Sequence, residues 1–497
     1  MRQLSLFVLT AVVSCWLCAG VSLALDDAEE GYPGIPEMGD PPFVLSRDWQ
    51  IVLRGEFRSR ALIEANTKSG YTNRSGETIY AYDSRSTINN DYGWWDSRFQ
   101  LRLDVLFEDH VEFGFFGQIG DTAWGNLSPI FGGSPEETLG NREFFIRELF
   151  VDVSLGPFIP LGLKFGRFDA ELGNRLVWGL EQDGLDAYYQ NDWLRVGLMG
   201  IRQHEGERYE MVMKYNDDED TFVFYADADV KPVWNLVGFV YWNLFEMPSP
   251  PAEPHVNSPL YSLPFWSPEN YASQGSHLWT AAANLVGDWT RFRLNLEFDY
   301  QWGKIKPTES RQDVPAIDFL GYAAFAKLDY RFAGTEILAL SMGYGSGDDP
   351  DTVDYEGFFA PDNDFGIEED GINEYIVRGF TSVYEHLSPA AGVPGKMKEG
   401  YGTGGLENLI FALLGWDSRY LDNHHFYLGF AYLVAAEPNP ATGERHIGLE
   451  MDLSWDYYFS RHVVFRTYGG HLFMTGDYFR KDNHDAAQIY WEWKVFW

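Results

Sequence analysis

Charged side chains stand at every second position in several segments of this chain. Between positions 291 and 302, arginine, asparagine, glutamate and aspartate alternate with phenylalanine, leucine, tyrosine and tryptophan. Guanidinium groups repeated in this way could hold carboxylates transiently through forked, charge-assisted hydrogen bonds. The chemistry expected of them is reversible binding of anions along a path.

The candidate residues for such a path share one parity on segments of alternating polarity. The basic candidates are Arg54, Arg98, Arg102, Lys164, Arg291, Arg293, Lys327, Arg331 and Arg466. The acidic candidates are Glu148, Asp152, Glu450 and Asp452. A second interpretation stays open for each of them, because mixed charges on a wet surface also pair across neighbouring strands.

Strands must position these residues. A period of two in polarity is typical of a β-strand with one apolar face, and charges at every second position are incompatible with a buried helix. The last residues show this pattern, with Ile489, Trp491, Trp493, Val495 and Trp497 on one face. About ten alternating residues match a membrane-spanning strand that closes a barrel.

The composition agrees with a barrel in lipid. Hydrophobic residues make up 45% of the chain, with 18 Trp, 29 Tyr and 37 Phe, yet the mean hydropathy is only -0.28. No stretch approaches the roughly 18 consecutive apolar residues of a transmembrane helix. This combination favours an outer face in lipid with aromatic girdles at the interfaces. A large soluble β-sandwich or β-helix is the weaker alternative.

The start of the chain resembles an export signal. Met1-Arg2 is a short basic region, residues 4–13 are apolar, and small residues precede position 25, so we predict a cleaved signal peptide over 1–24. A lipoprotein site at Cys15 is the alternative. Both cysteines, Cys15 and Cys18, lie in this segment, so the mature chain has neither disulfides nor cysteine-bound metals.

The remaining chain divides into a lead-in and a barrel. Residues 25–45 are rich in proline and predict an extended periplasmic segment. Residues 46–497 predict the barrel. The whole chain carries a net charge of -37, and removal of Arg2 with the signal peptide makes it about -38, which argues against binding to nucleic acid.

Short and long connections alternate along the barrel segment, as expected for periplasmic turns and outer loops. Counting between them predicts an all-β transmembrane antiparallel barrel of about eighteen strands, with both ends in the periplasm. Eighteen strands enclose a water-filled lumen, and the long loops 121–142 and 347–404 are expected to narrow it. Residues 204–220 are the weakest assignment, because Tyr209 to Tyr215 could form an extra strand.

Motifs for other chemistry are weak. Asp348, Asp349, Asp351 and Asp354 could contribute oxygens to calcium, but they lack the spacing of a calcium-binding loop, and a solvated acidic loop is favoured. Gly400, Gly402 and Gly405 fit a dinucleotide motif without the strand–helix context that it needs. We therefore predict no catalytic residues, no cofactor and no metal, and a protein that is not an enzyme.

Several short motifs resemble the alginate-export porin family of Gram-negative outer membranes. They are Arg147-Glu148-Leu149-Phe150-Val151-Asp152, Phe165-Gly166-Arg167, Gly343-Tyr344-Gly345-Ser346-Gly347, Tyr401-Gly402, Leu406-Glu407-Asn408-Leu409, Gly448-Leu449-Glu450-Met451-Asp452 and Gly476-Asp477-Tyr478-Phe479. Each motif is weak alone, and their order along the chain carries the resemblance.

The resemblance implies a monomeric eighteen-stranded barrel that passes an acidic exopolysaccharide through an arginine-rich constriction. It adds Arg147 and Arg167 to the lining, beside Lys164 and Arg466. Strict alternation gives Arg147 and Arg167 the parity of lipid-facing residues, so they face inward only if a bulge or a strand end turns them. The chain departs from the family at Phe168-Asp169, which replaces a Gln-Arg pair, and in its short turn at 460–461.

The expected function is a passive outer-membrane channel for an anionic polysaccharide or oligosaccharide. The expected partners are the outer-membrane lipid bilayer, the anionic saccharide and a periplasmic scaffold, with the chain itself monomeric. Three alternatives stay open: a general or solute-specific diffusion porin, a barrel sheath around a periplasmic partner complex, and an outer-membrane hydrolase.

Overall fold

The computed structural model describes the strands and most of the short turns of the chain. The described residues are 43–44, 49–65, 70–72, 78–80, 91–107, 110–124, 144–156, 159–170, 172–174, 176, 181–204, 219–230, 234–245, 276–307, 315–332, 336–349, 352, 354–358, 406, 408–420, 423–438, 443–460, 462–475 and 485–497. Several predictions lie outside them: the signal peptide 1–24, nearly all of the lead-in 25–45, most of the loops 121–142 and 347–404, and the extra strand at 209–215.

Eighteen long strands form one antiparallel sheet. They are β1 (Trp49–Ala65), β2 (Asp91–Phe107), β3 (Val111–Trp124), β4 (Phe144–Ser154), β5 (Leu161–Asp169), β6 (Glu181–Gln190), β7 (Leu194–His204), β8 (Glu219–Val230), β9 (Trp234–Phe245), β10 (Ser276–Asp288), β11 (Phe292–Ile305), β12 (Ile317–Arg331), β13 (Glu336–Gly345), β14 (Leu409–Tyr420), β15 (His424–Ala435), β16 (His446–Ser460), β17 (Val463–Met474) and β18 (Ala486–Phe496). The predicted eighteen-stranded barrel is confirmed.

The sheet closes on itself because β18 pairs with β1, from Ala487 opposite Ala65 to Phe496 opposite Glu56. All the remaining long strands pair with the strands that precede and follow them in the sequence. A short strand, Phe43–Val44, pairs with the start of β1, and a hairpin of Gly70–Thr72 and Thr78–Tyr80 follows β1. Among the described residues, no helix is long and apolar enough to cross a membrane.

The alternation of each strand sorts side chains in the opposite sense to a water-soluble protein. On β11, Phe298 and Trp302 are 50% and 37% exposed, whereas Glu297 and Asp299 are 3% and 0% exposed. Burying charge while exposing aromatic rings is unfavourable in water, but it is the arrangement expected of a barrel wall between lipid and a polar interior. The predicted parity of β11 and β16 therefore matches the structure.

The seam of the barrel depends on the last residue and a glycine on β1. The backbone N–H of Gly55 donates to the Trp497 carbonyl at 2.9 Å, and the Trp497 N–H donates back at 3.1 Å. The indole of Trp497 lies over Gly55, since a Cβ there would meet the indole carbons. It also packs against the ring of Phe99 at 5.5 Å between centroids. The seam therefore requires a residue without a side chain at position 55.

Replacing Gly55 by alanine is expected to displace the Trp497 indole and to destabilise the barrel by about 1–3 kcal/mol, the usual cost of overpacking. Gly238→Ala on β9 is the matched control, because its Cβ would find its nearest atom 3.9 Å away. Urea titrations of both variants in detergent micelles measure the difference. Equal losses in the two variants would mean that the seam does not depend on this contact.

The described parts of two long connections pack inside the barrel. After β5, Leu172 and Leu176 join Phe168 in an apolar cluster with the inner wall. After β13, Phe358 joins the same cluster, as does Leu406 just before β14. The interior is thus partly filled by chain that folds inward, as expected for loops that narrow a wide barrel.

Candidate functional site: the charged inner wall

A connected series of charged side chains lines the inner wall from β14 through β18 and β1 to β8. At its first end, Asp417 lies 2.7 Å from His425 Nε2, and His425 Nδ1 lies 3.6 Å from Asp456. Arg466 donates two hydrogen bonds to Asp456, at 2.9 and 3.2 Å. All four side chains project inward from neighbouring strands, since cross-strand partners on one face of a sheet come within contact distance.

The series crosses the seam at Glu492 on β18. Its carboxylate lies 3.8 Å from Arg466, 3.7 Å from Arg58 and 3.5 Å from Lys494. A single buried carboxylate is therefore shared by three cations. Its position couples the last strand of the barrel electrostatically to the first.

On β2 the arginines are paired with carboxylates of three strands. Arg98 lies 3.0 Å from Glu56 of β1. Arg102 donates to Asp104 at 3.1 Å and to Glu148 of β4 at 3.0 Å. Each buried guanidinium thus has a compensating charge, which satisfies the second interpretation of the sequence pattern, cross-strand pairing.

The series ends on β4 to β8 in a group of tyrosines and charges. The Tyr188 hydroxyl donates to Asp152 at 2.7 Å. Asp186 accepts from Arg195 at 2.8 Å and from the Tyr225 hydroxyl at 2.8 Å. The guanidinium of Arg195 lies 4.0 Å from the centre of the Tyr188 ring. These contacts fix the aromatic and charged groups in one orientation.

Two inward cations, Lys164 and Arg54, have no ion pair or side-chain hydrogen bond to any residue that the structure describes. The Lys164 ammonium instead lies over two rings, 4.0 Å from the centre of Phe150 and 5.0 Å from that of Phe168. Arg54 is placed opposite Arg102 in the register of β1 and β2. Asp152 and Asp186 lie opposite Lys164 in the registers of β5 with β4 and β6, and Glu148, Asp152 and Glu112 act on its charge from beyond ion-pair distance. The hydrogen-bond donors of the ammonium therefore stay available for an anion, in a site that also holds acids.

A β-bulge on β4 turns Arg147 inward. Ile146 pairs with Gly117 and Glu148 pairs with Phe116, so Arg147 is the extra residue between them. Its guanidinium donates to Gln118 at 3.3 Å and lies 5.3 Å from the centre of the Phe116 ring. Strict alternation predicted that Arg147 would face inward only if a bulge or a strand end turned it, and this bulge does so.

Arg167 is placed differently from its predicted lining position. It lies opposite Leu149 in a regular register, on the outward parity of the exposed Phe165. It donates to the Arg147 carbonyl at 3.1 Å and lies 3.4 Å from Asp183. The alternation of β5 continues without a bulge, which keeps this side chain on the outer face.

The other predicted residues divide between the wall and its short-turn rim. Lys327 is buried and lies 3.9 Å from Asp329, and Asp452 accepts from Tyr468 at 2.6 Å. Glu450 is buried on the same face of β16, and Arg293 lies opposite Asp329. Arg331 lies 3.3 Å from Asp288 at the rim. Arg291 is exposed in the turn before β11, not on the strand where the pattern placed it.

Sequence reasoning missed the contact between the segment after β5 and the wall of β10 and β11. The Asn174 backbone N–H donates to Glu297 at 2.5 Å, and its side-chain amide donates to Asn295 at 3.1 Å. Asn284 donates to the same two acceptors, at 3.1 and 2.8 Å. Inward Asn284 and Asn295 were visible in the alternation, but a partner more than a hundred positions away leaves no local signal.

Fold and site together define the class of this protein: a closed eighteen-stranded barrel with an apolar exterior and a charged interior. The solved structure of OccK9 (OpdG) of Pseudomonas aeruginosa is similar over 90% of this chain and 97% of that one, with 11% identity and a TM-score of 0.50. OccAB4 of Acinetobacter baumannii is similar over 89% and 97%, with 11% identity and a TM-score of 0.47. At such identities, the likeness to OccK9 concerns the fold.

Comparison by sequence gives no closer relation. No family model matches the chain, and no curated protein matches it by sequence. The particular function therefore has to be argued from the inner wall.

Proposed function

We propose that this protein is a passive channel of the Gram-negative outer membrane for small anionic saccharides, of the size of uronic acids and short oligouronates. The observation that carries the proposal is the unpaired Lys164 ammonium between the rings of Phe150 and Phe168. It offers a cation and two apolar faces together, which suit a carboxylate attached to a sugar ring. We also infer that the chain is exported with a cleaved leader and acts as a monomer.

The membrane setting rests on the outer face. Leu, Phe, Tyr and Trp side chains with exposed fractions near one half recur on strands all around the barrel. The strands are 9 to 17 residues long, and roughly 9–11 tilted residues suffice to cross a bilayer. A wall of this kind is stable only when lipid covers it.

The anionic cargo rests on the distribution of charge. Arg466, Arg58, Arg98, Arg102 and Lys164 face inward on β17, β1, β2 and β5, within one arc of the barrel wall. Their paired carboxylates hold the arginines in place, and the unpaired Lys164 and Arg54 remain open to an incoming anion. A row of cations in a narrow polar space attracts anions and lowers the barrier to their passage.

The size of the cargo rests on the chain inside the barrel. The segments that carry Leu172 and Phe358 occupy part of the interior, which favours a short saccharide over an extended polymer. Among the predicted functions, this observation favours the solute-specific channel over polysaccharide export. The direction of flow follows the concentration gradient, because passive passage requires no energy source.

The test is block of single-channel current by oligouronate in planar bilayers. Trigalacturonate is expected to block the channel, and maltotriose, a neutral sugar of similar size, is not. Lys164→Gln should weaken the block by about 5- to 30-fold, since the loss of one close charge contact is worth roughly 1–2 kcal/mol.

Lys304→Gln is the matched control. Lys304 pairs with Asp318 at 2.9 Å and is 43% exposed, on the outward parity of β11. This variant should leave the block unchanged. Equal block by the neutral and the acidic sugar, or equal weakening in both variants, would contradict the proposal.

A further inference from the structure

Two acidic side chains on β11 face the interior of the barrel. Glu297 and Asp299 are two residues apart, so they project to the same side of the sheet. Both are buried. They flank the place where the segment after β5 meets the wall, which makes them part of a polar site inside an otherwise apolar cluster.

Among the residues that the structure describes, neither carboxylate has a positive partner. Both oxygens of Asp299, and one oxygen of Glu297, accept no hydrogen bond from any described residue, and the charge that acts on Asp299 is that of Glu297 itself. By contrast, Asp329 on the next strand has Lys327 beside it. Two uncompensated buried carboxylates are strongly unfavourable unless a cation or a proton joins them.

Small residues surround the two carboxylates. The neighbours of Asp299 across the sheet are Ala282 and Ala323, which offer its oxygens no polar group. On the other side, Gly173 approaches Glu297 so closely that a Cβ there would lie 2.5 Å from the free oxygen. The carboxylates therefore face a confined space bounded by small residues.

The donor atoms indicate the kind of cation. Within the described residues, the free acceptor atoms at this place are carboxylate oxygens, and the Asn174 backbone N–H and the Asn284 side-chain amide donate to the other oxygen of Glu297. Calcium and magnesium prefer oxygen ligands, whereas zinc and copper prefer nitrogen and sulfur. Two carboxylates also balance the charge of one divalent ion.

We propose that Glu297 and Asp299 bind one divalent, oxygen-preferring cation of the calcium class. Glu297 also accepts the Asn174 N–H, so the bound cation fixes the segment 172–174 to the wall of β11. The site is separate from the basic wall that carries the proposed passage of anions.

The test measures calcium binding by the full-length barrel in detergent micelles after treatment with EDTA. Titration calorimetry and thermal unfolding with and without CaCl₂ should show saturable binding and a raised melting temperature. Asp299→Asn should weaken binding at this site by at least about tenfold, the loss seen even for outer-shell partners of metals. Asp452→Asn is the control, because Asp452 is an equally buried inward carboxylate with a Tyr468 partner, and it should bind calcium like the wild type.

Two outcomes would overturn the site. Absent calcium binding means that the pair holds no calcium. Binding that is unchanged in Asp299→Asn means that the calcium lies elsewhere, for instance at Asp348, Asp349, Asp351 and Asp354. An infrared band of a protonated carboxyl at neutral pH, insensitive to calcium and lost in Asp299→Asn, means that a proton neutralises the pair. Because these variants leave Lys164 intact, neither outcome bears on the block by oligouronate.

Discussion

Replacing Asp456 by asparagine is expected to destabilise the barrel by about 3 kcal/mol. Arg466 donates two hydrogen bonds to this carboxylate, and both side chains are almost fully buried. Removing one partner of a buried pair leaves an uncompensated charge, which costs roughly 3–5 kcal/mol. The lower value applies because Glu492 remains 3.8 Å from Arg466. Urea titration of the barrel in micelles, followed by tryptophan fluorescence, measures the loss.

Asp318→Asn is the control for burial. Asp318 pairs with Lys304 at 2.9 Å, the same separation as the Arg466 pair, but this pair is 43% and 57% exposed. An exposed pair contributes at most about 1 kcal/mol. If the two variants lose equal stability, burial is not the reason that the inner series matters, and the account of the seam between β17 and β1 is wrong.

Replacing Gly173 by alanine is expected to release residues 172–174 from the wall of β11. Gly173 has a φ of +61°, which costs an alanine roughly 1–2 kcal/mol, and the new Cβ would collide with Glu297. Losing the hydrogen bond from Asn174 to a charged acceptor adds about 1.5–3 kcal/mol. The expected result is a loss of roughly 3 kcal/mol together with a larger single-channel conductance, because the segment no longer fills the interior.

Gly443→Ala separates the two causes. Gly443 has a φ of +72°, but no atom lies within 4 Å of the Cβ that alanine would add. This control carries the same backbone strain without the collision, so it should lose roughly 1–2 kcal/mol and keep the conductance of the wild type. An unchanged conductance in Gly173→Ala would show that the segment does not limit the passage.

The two variants test different layers of the molecule. Asp456 acts within the wall, between neighbouring strands, whereas Gly173 acts where a connection meets the wall from inside. We expect Asp456→Asn to change stability with little effect on conductance, and Gly173→Ala to change both. Measuring both properties on both variants therefore distinguishes a structural charge from a contact that narrows the passage.

The sequence predicted the barrel because strand alternation is a local property. Each side chain of a strand faces opposite to its neighbour, so apolar Phe298 and acidic Glu297 already indicated which side meets lipid. The number of strands followed from turns that are also local. Inward positions for Arg102, Lys164 and Arg466 follow from the same parity and agree with the structure.

Local pattern failed where the regular period was interrupted or ended. Arg147 reaches the interior through a bulge of one residue, which the sequence could state only as a condition. Arg167 stays outside, because its strand has no such bulge. Arg291 lies in a turn, one residue before β11. The alternating pattern of β11 had predicted that it belonged to the strand.

By itself, the sequence thus determined the barrel, the sidedness of its wall and the signs of the charges that line it. Only the tertiary structure decided which carboxylate neutralises each arginine and which rings contact the Lys164 ammonium. It also decided that Asn174 binds Glu297, 123 positions away in the sequence. The physical reason is the sequence distance over which each interaction acts. Alternation is set by adjacent backbone units, whereas pairing inside the barrel depends on closure of the whole sheet and on the path of chain that folds into it.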